Sequence, residues 1–211
     1  MKPTAIVDTA QQYSMTNGKN IMSTISSIQD LDNRAIEGDF VECGAWKGGH
    51  VIAALLSAQV NREYWLFDTF NGMTEPGQHD VRRGIHATQT AKYRKNGIEN
   101  WCRAGVEEVQ NNINQHRRAE QQVHYVVGPV EQTLSTHTLP DKIALLRLDT
   151  DFYSSTKIEL EILWPRLVKG GILIIDDYNS WDGCKLACDE YFGDTVKLTK
   201  GKKGTPVKLI K

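Results

Sequence analysis

The chain has 211 residues, 25 of them basic and 26 acidic, for a net charge of −1. That length supports one domain with a substantial core, residues 1–211, and the balanced charge excludes the cationic footprint of a nucleic-acid binder. No run approaches the roughly 18 apolar residues of a bilayer span, the N-terminus lacks a secretory core, and Cys43, Cys102, Cys184 and Cys188 lack zinc-finger spacing, so the chain reads as cytoplasmic, reduced and without a membrane partner.

Residues 1–36 read as an N-terminal arm or lid. They are polar and weakly patterned to residue 20, with Asn17-Gly18 as a turn signal, and then Ile21, Met22, Ile25 and Ile28 mark a short amphipathic helix. Residues 40–43 form a strand that runs into Gly44-Ala45-Trp46-Lys47-Gly48-Gly49, and a helix follows over 51–58. Glycines in such a turn let a ligand approach the backbone, and the helix N-terminus offers its N–H groups to a carboxylate or phosphate. The stretch lacks the Gly-Lys-Ser/Thr of a phosphate-binding loop and the spacing of a dinucleotide fingerprint. A second strand, 64–67, ends in Asp68, about 20 residues past the turn, where an acid can accept both hydrogen bonds of a ribose diol. An incidental strand-end acid is the alternative. Together the two features point to a nucleoside-bearing ligand.

Residues 71–100, rich in Gly, His, Arg and Lys, read as a lid insertion whose individual histidines and arginines face solvent. Val106, Val109 and Ile113 outline a helix, and 123–127 form a third strand ending at Gly128-Pro129. Two further apolar runs, 143–148 and 172–175, end abruptly in acids: Asp149 and Asp151 in the first, Asp176 and Asp177 in the second. Between them Phe152, Thr156, Leu160, Leu163, Trp164 and Leu167 recur at helical spacing, with Gly170-Gly171 as the stop. Strand, helix, strand in this order is a right-handed unit with parallel neighbouring strands. Cys184, Ala187, Cys188 and Tyr191 outline another helix, and 196–198 with 206–210 a terminal hairpin. Lys197, Lys200, Lys202, Lys203, Lys208 and Lys211 read as a solvated face. The fold class is α/β, a mostly parallel doubly wound sheet ending in an antiparallel hairpin.

Asp149, Asp151, Asp176 and Asp177 should therefore converge at one rim, the carboxyl edge where open α/β sheets bind ligands. Like charges so close raise one another's pKa or recruit a cation, and a hard, oxygen-liganded ion such as Mg²⁺ fits. The alternative is a set of ordinary strand-end acids, with Asp151 capping the helix that starts near Phe152.

Phe-Val-Glu-Cys-Gly-Ala-Trp-Lys-Gly-Gly, Phe-Asp-Thr-Phe-Asn-Gly, Leu-Arg-Leu-Asp-Thr-Asp-Phe-Tyr-Ser-Ser-Thr and Gly-Gly-Ile-Leu-Ile-Ile-Asp-Asp-Tyr resemble the macrocin O-methyltransferase family over roughly residues 13–192. The resemblance implies a Rossmann-like class I methyltransferase that uses S-adenosylmethionine and Mg²⁺ to methylate sugar hydroxyls. By the same resemblance, Glu42, Gly44 and Ala45 would hold the methionine portion of the cofactor. Tyr13 to Thr16, Met15 included, would close over it. Asp68 would bind the ribose, and Phe70 and Gly128 would flank the adenosine. Asp149, Asp176 and Asp177 would ligate Mg²⁺, with Asp149 also bordering the cofactor, and Asp151 would be the general base. The expected partner is a small-molecule acceptor, a sugar or glycoside, and a homo-oligomer is compatible with it. His50 falls where related enzymes place a small hydroxyl residue; it reads as a residue starting the helix, with a donor role to the cofactor as the alternative. A catechol-type acceptor, a non-catalytic S-adenosylmethionine-binding module and a metal-dependent hydrolase are the competing readings. Asp151 where a catechol enzyme would carry a lysine, the intact acids, and the nucleoside features count against each in turn.

Overall fold

Adjacent residues of a strand point to opposite faces, so a strand apolar at every position needs cover on both sides. The computed structural model, which describes all residues except 91, 92, 94, 96, 98, 99, 197 and 199–203, supplies that cover. Strands β1 (Asp39–Cys43) and β2 (Tyr64–Asp68) precede a two-stranded ribbon, β3 (Val81–Arg82) with β4 (Ile85–His86). Strands β5 (Val123–Val127), β6 (Ile143–Leu148), β7 (Leu167–Ile175) and β8 (Val207–Ile210) follow. The main sheet runs β5-β2-β1-β6-β7-β8; all its pairs are parallel except β7 with β8.

One face of the sheet carries Phe40, Leu145, Ile172 and Ile174. They pack with Ile28 and Leu31 of helix α2 (Gly18–Asn33), Val51 and Leu55 of α3 (Gly49–Ser57), and Val109 and Ile113 of α4 (Val106–Asn114). The opposite face carries Val41, Leu146, Leu173 and Ile175. These meet Leu134 of α5 (Val130–Thr136), Leu160 and Leu163 of α6 (Tyr153–Leu163), and Cys184 and Cys188 of α7 (Asp182–Phe192). Each fully buried aliphatic side chain contributes about 1.5–3 kcal/mol, so the period-two alternation of the strands decides the three-layer arrangement.

Two expectations are corrected, the alternative of an Asp151 cap is excluded, and the antiparallel ending of the sheet is found. The N-terminal segment is not weakly patterned: a first helix, α1 (Pro3–Ala10), buries Ile6 and Ala10 against Ile21, Ile25 and Ala53. Leu167 is not helical. Pro165 cannot continue the hydrogen-bond ladder, α6 passes through a short 3₁₀ turn over Trp164–Arg166, and Leu167 opens β7, with Gly170-Gly171 inside that strand. The helix α6 is not capped by Asp151. Its Tyr153 N–H donates at 2.8 Å to Oδ1 of Asp80, a buried residue just before β3. Finally, β8 pairs directly with β7, and the first arm of the expected hairpin, with its linking turn, falls largely outside the described residues.

Glu159 lies wholly buried in α6, where Thr150 Oγ1 donates to its Oε1 at 3.0 Å and its Oε2 has no partner. Burial pushes this carboxyl well above the ordinary value of 4.5, so it stays protonated in the folded chain while the unfolded chain ionises. A raised folded pKa contributes stability that is complete below about 4.5 and is lost as pH rises through the folded value. Glu159→Gln should therefore raise the melting temperature at pH 8 and give little or no gain at pH 4. A gain of about 1 kcal/mol would appear as about 2–4 °C in calorimetry. Equal shifts at both pH values would contradict the neutral-carboxyl assignment.

Candidate active site

The parallel strands hand their carboxyl ends to one rim. The ladder continues one residue beyond each strand: Gly44 N–H donates to Phe67 O, Gly128 to Asp68 O, Asp149 to Cys43 O and Asp176 to Leu148 O, each at 2.9 Å. Gly44 must be glycine there, because its φ is +83° and a Cβ would stand 2.1 Å from the Asp149 carbonyl oxygen. A cavity of about 410 Å³ opens over this rim, bordered by Met15, Gly44, Trp46, Asp68, Gly128, Asp149, Asp151, Asp176 and Asp177. A smaller cavity shares Met15, Thr16, Gly44, Trp46 and Asp149 with it and adds Glu42, Ala45 and His50.

The acids converge as the sequence predicts. One carboxylate oxygen from each of Asp149, Asp176 and Asp177 lies within 4.8 Å of the other two. Asp177 is 7% exposed, and its Oδ2 is buried with no donor. Asp151 sits beside them with φ +68°, a left-handed conformation that Asp tolerates better than most residues. Its carboxyl and that of Asp177 act on one another: beyond burial, Asp151 raises the pKa of Asp177. Burial, then the Asp149 charge, pushes Asp151 up to about 6; the same two causes push Asp176 up to about 7. Asp177 is driven well above the carboxylate range by burial and then by Asp151.

Arg147 holds this cluster from beneath. It is 1% exposed, inside an otherwise apolar strand. Its Nη1 donates to Glu42 Oε1 at 2.9 Å and to Asp149 Oδ2 at 2.8 Å, and its Nη2 donates to Asp176 Oδ1 at 2.9 Å. Burial alone would lower the guanidinium's pKa, but Asp149, Asp176 and Glu42 outweigh it and keep the group charged. Glu42 is 1% exposed, and burial pushes it up to about 8 against the pull of Arg147; its Oε2 is buried and unpartnered. A lone arginine within the run Ile143 to Leu148 was the available sequence signal, since a charge in a two-sided buried strand must have partners.

Of the other predicted residues, Asp68 and Gly128 border the larger cavity and Phe70 does not. Asp68 borders the larger cavity, yet its carboxylate already accepts backbone N–H groups: Ala45 at 2.8 Å and Trp46 at 3.1 Å on Oδ2, and Phe70 at 2.7 Å on Oδ1. In this structure it ties the glycine turn to the end of β2. Phe70 lines neither cavity; it is 5% exposed and packs near Tyr125, with ring centroids 6.3 Å apart. Arg82, expected to face solvent, borders the larger cavity and lies 5.5 Å over the Trp181 ring. Trp101 and Ser180 border the cavity as well and carried no sequence signal.

Known proteins resemble this chain in sequence and fold. The family model for macrocin O-methyltransferase (TylF) matches residues 6–200. Demethyldecarbamoylnovobiocin O-methyltransferase from Streptomyces niveus is 32% identical over 186 residues, covering 86% of this chain and 68% of the relative. The 8-demethyl-8-(2,3-dimethoxy-alpha-L-rhamnosyl)-tetracenomycin-C 4'-O-methyltransferase of Streptomyces olivaceus is 36% identical over 190 residues, covering 82% and 69%. Among solved structures, the O-methyltransferase NovP superposes with a TM-score of 0.77 at 29% identity, over 94% of this chain and 82% of that one. The calicheamicin methyltransferase CalS11 superposes with a TM-score of 0.70 at 20% identity, over 91% and 78%, a likeness of fold alone. With residues 6–200 matched by the family model and relatives of 32% and 36% identity covering most of the chain, the protein belongs to the macrocin O-methyltransferase family and is an S-adenosylmethionine-dependent O-methyltransferase.

Proposed function

We propose that the enzyme methylates a hydroxyl of a sugar or glycosylated small molecule and that it requires a divalent cation, Mg²⁺ by the hardness of the donor set. The observation that carries this reading is the trio Asp149, Asp176 and Asp177, with oxygens within 4.8 Å of one another and Asp151 on the same rim. Buried atoms without partners support the fit of both absent groups. Asp177 Oδ2 suits a hard cation, and Glu42 Oε2 suits the ammonium of the cofactor's amino-acid end in the smaller cavity. The relative from S. olivaceus is named for a rhamnosyl-bearing tetracenomycin, which supports a glycosidic acceptor.

When bound, S-adenosylmethionine supplies an electrophilic methyl group, and the cation supplies Lewis acidity toward the acceptor's oxygens. The chain supplies the rest. Asp149, Asp176 and Asp177 would fix the cation at the strand ends, and Arg147 orients two of these carboxylates from below. Asp151 would take the proton of the reacting hydroxyl; it borders the same cavity, and Arg147 donates to Glu42, Asp149 and Asp176 rather than to it. Glu42, Gly44, Ala45 and Met15 would enclose the cofactor's amino-acid end, Asp68 its ribose and the Gly128 turn its adenosine. The described part of residues 71–100 would act as a lid over the acceptor; 91, 92, 94, 96, 98 and 99 lie outside the described residues.

The test is methyl transfer to a panel of glycosides and nucleotide sugars, read by mass, with Mg²⁺ and with chelator. Turnover should vanish in chelator and return with Mg²⁺. Asp176→Ala should weaken cation affinity by about 10–100-fold. Full activity in chelator would reject the metal assignment, and transfer to catechols alone would reject the sugar.

A further inference from the structure

His50 opens α3, yet its part in the molecule lies in the N-terminal segment. It is 4% exposed. Its two ring nitrogens each lie 2.8 Å from a threonine hydroxyl, Nε2 from Thr16 Oγ1 and Nδ1 from Thr24 Oγ1. Burial, and then the charge of Arg147, lowers its pKa well below the ordinary value, so the ring is neutral, with one N–H and one acceptor nitrogen. One threonine hydroxyl therefore donates to the ring and the other accepts from it. An apolar side chain could fill this space; it could not fix two hydroxyls at opposite ends of one ring.

The two threonines belong to different kinds of structure. Thr24 is fully buried in the middle of α2. Thr16 belongs to the short link, residues 14–17, that joins the N-terminal turn to α2 and borders both cavities. That link is folded on itself, with Thr16 N–H donating to Ser14 Oγ at 3.1 Å and Gln11 Nε2 donating to Thr16 O at 2.6 Å. It also rests directly on the start of α3, because a Cβ on Gly49 would stand 2.7 Å from Ser14 Cβ and 2.8 Å from Tyr13 O. Glu42 and Gly44 line the same smaller cavity as the link. The contact from His50 to Thr16 thus joins one wall of that cavity to helices α2 and α3.

We propose that His50 is a positioning residue for the cofactor: its ring, anchored on Thr24, latches Thr16 and so seats residues 14–17 over the amino-acid end of S-adenosylmethionine. The inference rests on the placement of that end beside Glu42. A preseated wall lowers the ordering cost of binding, so loss of the latch raises the cofactor's Kd.

The experiment is calorimetric titration of S-adenosylhomocysteine into the full chain and three variants, with the melting temperature of each unliganded protein measured alongside. Thr16→Val keeps the side-chain shape and removes the hydroxyl. His50→Asn retains reach toward Thr24 and loses Thr16, whereas His50→Gln extends far enough to regain Thr16. Thr16→Val and His50→Asn should each raise Kd about tenfold. His50→Gln should recover most of that loss, and Kd should not follow the melting temperature across the set. Wild-type Kd in both Thr16→Val and His50→Asn, or Kd values that track melting temperature with no rescue by His50→Gln, would overturn the latch. Glu42→Gln separates the two levels of the argument. If it too binds with wild-type Kd, the placement of the amino-acid end has failed; if it alone binds weakly, the latch has.

Discussion

Asp151→Asn should lower kcat by about 10²–10⁴-fold while changing the Kd of S-adenosylhomocysteine and of the divalent cation by no more than about twofold. Asparagine is the informative replacement because it matches Asp in shape and tolerates the left-handed backbone at this position, φ +68°. It can also donate a hydrogen bond to the neighbouring Asp177 carboxyl. What it cannot do is accept the proton that the acceptor hydroxyl must lose. Single-turnover kinetics and titration calorimetry on the same protein separate the roles. A parallel loss of cation affinity would make Asp151 a ligand, and retained turnover would move the base elsewhere.

The second large effect concerns stability. Arg147→Met keeps most of the side chain's volume and removes the charge that Glu42, Asp149 and Asp176 share. Breaking a buried ionic group by removing one partner costs about 3–5 kcal/mol, because the remaining charges are left uncompensated. For a chain of this size each kcal/mol is about 2–4 °C, so the melting temperature in chelator should fall by about 10 °C. If the three carboxylates of the rim hold a cation, a divalent ion can replace part of the lost countercharge. Mg²⁺ should then raise the melting temperature of the variant more than that of the parent. Equal stability of the two proteins in chelator would remove Arg147 from its role as countercharge. Equal stabilisation by Mg²⁺ would place the ion away from Asp149 and Asp176.

Much of the fold was legible because its signals are local. Runs such as Ile143 to Leu148, apolar but for Arg147, and Ile172 to Ile175, both ended by acids, read as strands covered on both faces whose carboxyl ends meet polar surroundings. The glycine turn after β1 is equally local, and the approach of Gly44 to the Asp149 carbonyl explains it. From these two signals the chain's own sequence determined a parallel sheet with Asp149, Asp151, Asp176 and Asp177 at one rim.

Tertiary structure decided the features that depend on distant partners. Asp80 rather than Asp151 caps α6 from 73 positions away, while Asp151 borders the cavity. Phe70, which the family resemblance set beside the adenosine, packs into the core, while Arg82, expected in solvent, lies over Trp181. Arg147 and His50 look like a strand residue and a helix-start residue until folding sets Glu42 and Asp176 around one, and Thr16 and Thr24 around the other. Periodicity reports which face of an element is apolar. It does not report which polar group from another part of the chain will arrive there, because that contact forms only once the sheet has fixed the spacing of its strands.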